Sequence, residues 1–542
     1  MLVPPFGWEG ISAWRNLKWW ARELAEAGFA SLRYQPPGEG DSEGLSSEQD
    51  LQTWVMALTD VVAQTRIATR AAHVTVIALG LGGLVAFQAV NDGAAIDDLV
   101  VWAAPSKGRL LLRELKAFAA TAIEPGRLVA PDTKSGGDDG TLWVHGYSLG
   151  LQAQAQLNDL DVAALGSGRL QRALMLGRGT LRPDSRAVKA LEAAGVEVTS
   201  AAGPGYDELT LEPRLSEAPV TLAAVVRDWL RQDHGRVPST TTSTSTPAST
   251  ERATAARPLP VGPLLERRLD WGEVDAILTP TDGAVLTAVF IGAGAIPRSG
   301  PNRLWAESAR RWAAWGVASL RLDLGGIGEA PDDGRPLPLT PGDLRDERYR
   351  AQVRAVLDRA EELGLPDRFL LVGLCSGGYW AGQVALDEPR VAGAVILNPS
   401  SLVWPPPVIA GVRRSVASRQ DWSNFLRYPE VRKAFWARAR LSARLSGRRW
   451  QGAARMAPRS SRDLLLAFDQ RSTRVTVALS PGEAESSGLD QLPPSRWADV
   501  HHFDGPMNAH TLSPVGLRQQ AQSLLDLRAR EVLELLAGPA RR

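Results

Sequence analysis

The sequence predicts an α/β fold that occurs twice, as two mostly parallel sheets with helices on both faces. Three observations lead to this fold class. Short apolar runs rich in β-branched residues alternate with stretches of helical periodicity. The same order of blocks runs through the chain twice. A segment rich in Ser, Thr and Pro separates the two runs, and 542 residues are enough for two domains.

The separating segment covers residues 233–262, DHGRVPSTTTSTSTPASTERATAARPLPVG. Such a composition cannot bury enough apolar surface to offset the entropy lost on ordering. We therefore predict a flexible linker between a first domain at 1–232 and a second domain at 263–542.

The two halves resemble each other block by block. RNLKWWARELAEAGFASLRYQPPGEGDSEG in the first half parallels NRLWAESARRWAAWGVASLRLDLGGIGEAP in the second. Each predicts a helix, a short strand containing Ala-Ser-Leu-Arg and a Gly-rich turn. The second half has two earlier strand candidates, in LERRLDWG and DAILTPTD, whereas the first begins at the third, MLVPPFG. We therefore expect the first half to lack two strands.

The composition narrows the function classes. A formal net charge of +1 gives no overall field that favours nucleic acid. The single cysteine excludes an intrachain disulfide, and the N-terminus MLVPPFGWEG has no signal-peptide pattern. No uninterrupted apolar segment of about 18 residues is present, so we predict no membrane span and a cytoplasmic protein. No Cys/His cluster predicts a metal site, and no cofactor is predicted.

That cysteine, Cys375, lies in FLLVGLCSGGYWAGQVAL, where a strand pattern meets a helix pattern. The form Gly-x-nucleophile-x-Gly between strand and helix places the nucleophile in a sharp, strained turn. Gly373 and Gly377 supply the small residues that this turn needs, and Gly378 eases helix packing. The helix N-terminus would favour a thiolate, and the N–H of Ser376 would form half of an oxyanion hole.

These motifs resemble those of the α/β-hydrolase superfamily along nearly all of each half. More narrowly, PPFGWEG in the first half, and GAGAIPRSGPNRLWAESAR, GLCSGGYWA and AHTLSP in the second, resemble serine-aminopeptidase-like and exosortase-associated hydrolases. The resemblance implies an eight-stranded, mostly parallel sheet and a nucleophile–acid–histidine order along the chain. It also implies a helical cap inserted before the acid. Many relatives use Ser as nucleophile, whereas dienelactone hydrolases and polyhydroxyalkanoate synthases place Cys there.

The resemblance assigns the other members of a catalytic triad. His510, on the loop before the last helix, stands where the family keeps its histidine and would act as general base and acid. Glu483, after RVTVALSPG, is the first candidate for the acid. Glu485 is the alternative and Asp490 the third choice, because EAESSGLD departs from the family's shorter Asp-containing loop.

The loop after AVFIGAG would supply the second oxyanion donor, from Gly294 or Ala295. Arg298 and Arg303 on the same loop are candidates for binding a carboxylate or phosphate of the substrate. They serve equally well as partners in ion pairs that hold the fold.

Each candidate also has a structural interpretation. An isolated Cys is usually buried and inert, and without the turn motif His510 would be a surface histidine. Glu483 alone would be a solvated loop residue. His501 and His502 lie in a predicted strand, and we interpret both as structural.

The first half lacks the corresponding chemistry. Gly80 stands at the nucleophile position, between Ala78 and Gly82. Leu209 stands where His510 would be, and the acid position falls near Leu181, with Asp184 the nearest carboxylate. We predict a non-catalytic domain, which serves either as a packing partner or as a retained binding pocket.

A cap is predicted at about 404–470, where the sequence is helical and rich in arginine. Its charge would attract an anionic carrier such as a phosphopantetheine thioester or an acidic membrane surface, or would simply face solvent.

Taken together, the residues predict an enzyme that cleaves or transfers an acyl group from an ester or thioester through acyl-Cys375. The expected substrate is a small-molecule, lipid or saccharide ester or thioester. The alternative class is a non-catalytic binding or scaffold protein, which resemblance in fold does not exclude.

Overall fold

The structure is a computed structural model. It describes the following residues: 1–120, 123–124, 127–128, 139–164, 166–234, 259–261, 264–332, 334, 339–340, 342–399, 402, 461–471, 473–483, 497–506 and 509–537.

The first half forms a five-stranded parallel sheet and two small antiparallel hairpins. The strands are β1 (Leu2–Val3), β2 (Thr75–Leu79), β3 (Asp98–Trp102), β4 (Ile123–Glu124), β5 (Arg127–Leu128), β6 (Leu142–Val144), β7 (Tyr147–Leu149), β8 (Arg172–Leu176) and β9 (Glu197–Ala201). The sheet has the order β1-β2-β3-β8-β9, and the hairpins pair β4 with β5 and β6 with β7. The helices are α1 (Gly7–Glu26), α2 (Leu51–Thr69), α3 (Leu81–Asn91), α4 (Gly108–Ala120), α5 (Leu151–Asp159), α6 (Ser185–Ala193), α7 (Tyr206–Leu209) and α8 (Val220–His234).

The second half forms a nine-stranded sheet. The strands are β10 (Leu259–Val261), β11 (Leu264–Asp270), β12 (Asp275–Thr279), β13 (Leu286–Ile291), β14 (Val317–Asp323), β15 (Phe369–Leu374), β16 (Val391–Leu397), β17 (Arg474–Leu479) and β18 (Ala498–His502). Their order is β10-β11-β12-β14-β13-β15-β16-β17-β18, and from β14 to β18 every pairing is parallel. The helices are α9 (Leu304–Ala313), α10 (Arg348–Glu362), α11 (Ser376–Ala385), α12 (Ser461–Asp469) and α13 (Val515–Ala537). The predicted α/β class, mostly parallel sheets with helices on both faces, is confirmed.

Alternating burial explains why helices cover both faces of each sheet. Along β13, Val289 packs on the side of α10 and α11, whereas Phe290 packs on the side of α9 and α13. Along β2, Ile77 joins the cluster with α1 and α8, whereas Ala78 joins the cluster with α2 and α3. Successive side chains of a strand point to opposite faces, so a strand buried on both faces is apolar throughout.

The strand predicted at Ala-Ser-Leu-Arg differs between the halves. In the second half it is β14, which pairs with β12 on one side and with β13 on the other. In the first half it is reduced to an isolated bridge between Arg33 and Leu2. Among the residues described, no strand of the first half corresponds to β12, so this segment has a neighbour on one side only.

Regular structure reaches into both ends of the segment predicted as a linker. Helix α8 ends at His234, and β10 begins at Leu259 and pairs with β11. Residues 235–258 lie outside the described part of the chain. Most of the predicted cap, residues 404–460, also lies outside it, and α12 lies near the end of that segment. None of the helices described is both long and apolar enough to span a bilayer.

The two halves share one apolar core. A continuous cluster of buried side chains contains Phe6 and Trp54 of the first half together with Phe290, Trp305 and Trp312 of the second. Aromatic rings carry a large share of the apolar surface that folding buries. The halves therefore pack directly against each other.

Glu39 lies at this junction, in the Gly-rich loop of the first half. Its side chain is buried, it accepts a hydrogen bond from the N–H of Gly7, and its Oε1 has no partner within the described residues. Burial raises the pKa of Glu39 to about 8, although the positive charge of Arg303 opposes this. The folded protein therefore keeps this carboxyl protonated at pH values at which the unfolded chain has lost the proton.

We expect Glu39→Gln to stabilise the protein more at pH 8 than at pH 5. The folded wild type holds one more proton than the unfolded chain between the ordinary carboxyl range and about pH 8. Its free energy of unfolding therefore falls across that window. Replacing the titrating carboxyl should raise the free energy of unfolding by about 2–4 kcal/mol at the upper end of that pH window. Urea unfolding of both proteins at the two pH values tests this, with the exposed Glu43→Gln as control. An equal difference at both pH values would contradict it.

Candidate active site

Cys375 lies in a strained turn between β15 and α11. Its φ is 54° and its ψ is −116°, a region that residues with a side chain rarely adopt. Its N–H donates to the carbonyl of Leu397 at 2.9 Å. A Cβ on Gly373 would lie 2.3 Å from the backbone of Gly377, and one on Gly377 would lie 2.5 Å from the Gly292 carbonyl oxygen. Close backbone packing therefore requires both glycines.

The structure brings Cys375, His510 and Glu483 together. Nδ1 of His510 lies 3.0 Å from Oε1 of Glu483, and the His510 ring also forms a hydrogen bond with Cys375. Because Nδ1 faces the carboxylate, Nε2 is the nitrogen that faces the sulfur. Glu483 is nearly inaccessible, with 2% of its side chain exposed, whereas 20% of His510 is exposed. Cys375 is half-buried.

Two opposing effects set the charge of His510. Burial disfavours the imidazolium, but negative charge at Cys375 and Glu483 outweighs it and raises the pKa of His510 well above its usual value. The hydrogen bonds to the same two groups act in the same direction. An imidazolium next to a sulfur stabilises the thiolate, which is the nucleophilic form.

Asn398 joins the loop that carries the histidine to the loop that carries the acid. It follows β16, is fully buried and has a φ of 40°. Its Nδ2 donates to the carbonyl of His510 and to Oγ of Ser480, both at 2.9 Å, and its Oδ1 accepts from the N–H of Ser480 at 2.7 Å. The N–H of Glu483 in turn donates to the Ser480 carbonyl. The sequence analysis missed Asn398, although a polar residue directly after a buried parallel strand is a recognisable signal.

The oxyanion candidates lie next to this group. Ser376 begins α11, where backbone N–H groups have no intrahelical acceptor. The N–H of Gly294 donates to Oγ of Ser376 at 2.9 Å, and Gly294 has a φ of 55°. The N–H of Ala295 makes no hydrogen bond within the described part of the chain. Of the two candidates for the second donor, Ala295 therefore has the uncommitted N–H.

Of the two interpretations of Arg298 and Arg303, the contacts favour groups that hold the fold over substrate ligands. Their exposed fractions are 6% and 1%, so neither faces a pocket mouth. Arg298 pairs with Asp275, Asp323 and Asp41 of the first half. Arg303 donates to backbone carbonyls of the first half. Their guanidinium groups are therefore committed to holding the fold.

The alternative acids, Glu485 and Asp490, lie outside the described residues. His501 and His502 lie in β18, as predicted, and we retain their structural interpretation. Among the residues described, no group of three or more His, Cys, Asp or Glu side chains forms a potential metal site.

The first half keeps the turn and fills the space of the missing nucleophile. Gly80 has a φ of 51° and a ψ of −121°, close to the values of Cys375. A Cβ at Gly80 would lie 2.7 Å from the hydroxyl of Tyr206, which donates to Oε2 of Glu9 at 2.9 Å. The sequence analysis missed this Tyr–Glu pair, since neither residue stands at a triad position.

The other predicted positions of the first half do not come together as a triad. Leu209 is buried and Leu181 is exposed. Asp184 accepts from the N–H of Arg186 at the start of α6 and is a helix cap. A cavity next to the turn is mostly apolar, lined by Phe6, Trp54 and Leu81 with Tyr34 and Glu39. This arrangement favours packing over catalysis in the first half.

Comparisons with known proteins give similarity to solved structures alone. No family model matches the chain, and no curated protein matches it. Mouse alpha/beta hydrolase domain-containing protein 10 is 14% identical, over 49% of this chain and 99% of that one, with a TM-score of 0.31. Proline iminopeptidase of Mycobacterium smegmatis is 16% identical over 49% and 99%, with a TM-score of 0.29. The thioesterase domain of the curacin biosynthetic pathway is 15% identical over 50% and 99%, with a TM-score of 0.27.

We expect His510→Ala to remove the reactivity of Cys375 at mildly acidic pH. The imidazolium stabilises a thiolate, so its loss lowers the fraction of thiolate at mildly acidic pH. The rate constant for alkylation by iodoacetamide should fall about 10-fold or more at pH 6 and approach the wild-type value at pH 9.5. His502→Ala is the matched control. Equal rates for His510→Ala and wild type at pH 6 would show that the two side chains do not interact.

Asn398→Ala should slow catalysis without removing reactivity of the thiol. The substitution frees the His510 loop from the Ser480 loop and leaves buried polar groups without a partner. A misplacement of a reacting group by about 1 Å can cost about 100-fold in rate, so we expect a fall of about 10- to 100-fold. Turnover of a p-nitrophenyl ester, compared with that of the exposed Asn158→Ala control, measures the effect. Unchanged turnover in Asn398→Ala would rule out this positioning role.

Proposed function

We propose that the chain is an enzyme that hydrolyses or transfers an acyl group, taken from an ester or thioester, through an acyl-Cys375 intermediate. The observation that carries this proposal is the hydrogen-bonded series from Glu483 through His510 to Cys375. It stands at a strained turn after a central strand, next to the start of a helix. Nucleophile, base and orienting acid are the three parts that activated nucleophiles share.

The first step forms the acyl-enzyme. The thiolate of Cys375 attacks the carbonyl carbon of the substrate, a sulfur–carbon bond forms and the carbonyl oxygen takes up negative charge. The N–H groups of Ser376 and Ala295 are the proposed donors to that oxygen. When the tetrahedral intermediate collapses, the leaving alkoxide or thiolate takes a proton from the His510 imidazolium.

The second step releases the acyl group. Neutral His510 takes a proton from water or from an acceptor hydroxyl, whose oxygen attacks the thioester carbonyl. The sulfur–carbon bond breaks, and the imidazolium and thiolate are restored together. Glu483 keeps the ring oriented throughout and stabilises its protonated form. Water as acceptor makes the enzyme a hydrolase, whereas a bound alcohol makes it an acyltransferase.

The nucleophile type indicates the substrate class. A thiolate accepts acyl groups readily from thioesters and activated esters, whose leaving groups are good, whereas an amide has a poor one. The basic cap predicted at 404–470 would favour an anionic carrier of the acyl group. The first half takes no chemical part in this scheme, since Gly80 has no side chain.

Reaction with p-nitrophenyl acetate tests the proposal. We expect the intact mass of the wild-type protein to increase by one acetyl group, with release of p-nitrophenolate in a burst. Cys375→Ala should give neither. Cys375→Ser is the matched control, because it keeps the geometry but offers a weaker nucleophile, and should acylate more slowly. Acetylation of Cys375→Ala at the wild-type rate, or of neither protein, would refute the acyl-cysteine route and leave a binding role.

A further inference from the structure

The two halves exchange equivalent ion pairs across their interface. Arg33 of the first half pairs with Glu329 of the second, and Arg321 of the second pairs with Asp41 of the first. Arg33 and Arg321 each follow Ala-Ser-Leu, and the two acids stand at the same spacing beyond them. Reciprocal contacts of this kind are typical of a two-fold interface. Each Gly-rich loop therefore docks on the opposite half.

Of the two acids, Asp41 also makes a contact with a second arginine. Oδ2 of Asp41 also accepts from Nε of Arg298 at 2.9 Å. Arg298 lies on the loop that contains Gly294 and Ala295, and its own N–H donates to Asp323 at 2.7 Å. Burial alone would raise the pKa of Asp41, but Arg321 and Arg298 outweigh it and hold that pKa well below its usual range. The carboxylate thus stays charged and fixes the far end of the loop of the oxyanion candidates.

The first half also holds the turn that follows. Asn302 and Arg303 both have positive φ values, 51° and 62°, which two successive residues with side chains rarely adopt. The guanidinium of Arg303 donates to four backbone carbonyls of the first half, those of Gly38, Gly40, Ser42 and Gly44, at 2.5–3.1 Å. Charge-assisted bonds in a buried site compensate for such strain.

A third contact leads to the histidine. Nδ2 of Asn302 donates to the carbonyl of Thr511, the residue after His510, at 3.0 Å. Gly146, in the turn between β6 and β7 of the first half, lies against the same side chain. A Cβ on Gly146 would lie 2.2 Å from Cγ of Asn302, so the turn closes on it as tightly as the backbone allows.

We propose that the first half is a positioning domain for the active site of the second half. Asp41 holds the loop of Gly294 and Ala295 through Arg298, and the turn at Gly146 holds the His510 loop through Asn302. The proposal rests on the proposed function, because the groups it positions are those of the acyl-transfer scheme. It gives the Gly-rich loop and the hairpin a role beyond covering apolar surface.

Asp41→Asn in the full chain tests the proposal with two reactions of the same sulfur. Acylation by p-nitrophenyl acetate uses the oxyanion hole, whereas alkylation by iodoacetamide has no oxyanion to stabilise. We expect the single-turnover rate constant for acylation to fall about 10- to 100-fold, and that for alkylation to stay within about two-fold of wild type. If Asp41 only stabilised the fold, Asp41→Asn would reduce the amount of folded protein. The amplitudes of both reactions would then fall, whereas their rate constants would not change.

Arg22→Ala is the matched control. Arg22 also pairs with an acid, Asp332, across the same interface, but its side chain is more exposed. Both of its rate constants should match wild type. Equal slowing of acylation in Arg22→Ala and Asp41→Asn, or wild-type acylation in Asp41→Asn, would overturn the positioning role and leave the proposed function intact. Absence of acylation in the wild type would instead refute the proposed function.

Gly146→Ala keeps the proposal testable if Asp41→Asn yields no folded protein. The added methyl group would clash with the Asn302 side chain, and the φ of 85° at Gly146 adds backbone strain. We therefore expect the contact between Asn302 and the Thr511 carbonyl to shift. We expect slower acylation together with a shift of the alkylation profile to higher pH. Unchanged rate constants for both reactions in folded Gly146→Ala would count against the contact with the histidine loop.

Discussion

The candidate active site depends on one local constraint, a non-glycine residue held at positive φ between a buried strand and a helix. The hydrogen bond from its N–H to the carbonyl of Leu397, in β16, holds Cys375 in this conformation. Close backbone packing at Gly373 and Gly377, where a Cβ would not fit, also holds it. Strain of this kind costs about 1–3 kcal/mol and persists where the surrounding structure fixes it. The turn is what brings the sulfur to the imidazole.

The first half shows the same constraint separated from its chemistry. Gly80 has nearly the same backbone angles as Cys375, although glycine needs no strain to adopt them. Tyr206 occupies the space where a nucleophile would project. The same backbone turn therefore joins strand to helix in both halves, with a nucleophilic side chain in the second half alone. What the first half contributes instead lies at its loops, which meet the second half next to the candidate site.

The fold class and the turn at Cys375 could be predicted from the sequence because each depends on a local pattern, whereas His510 and Glu483 were assigned from the resemblance to a family. Doubly buried strands read as apolar runs, and the turn around Cys375 requires glycines at fixed spacing. The roles of Arg298 and Arg303 were not accessible in the same way. Their partners are Asp41 and the carbonyls of a loop far away in the chain, and no local pattern tells a ligand-binding guanidinium from one that another domain neutralises. Asn398 was missed for a related reason, since its two partners come from separate loops.

The most direct test of the central claim is the titration of the His510 ring by NMR. The chain has six histidines, so the spectrum of His510→Ala assigns the signal. The imidazolium–thiolate pair predicts that His510 titrates well above the ordinary histidine range in the wild type and at clearly lower pH in Cys375→Ala, where the negative sulfur is gone. A wild-type His510 that titrates at or below pH 6.5, unchanged by Cys375→Ala, would contradict the account.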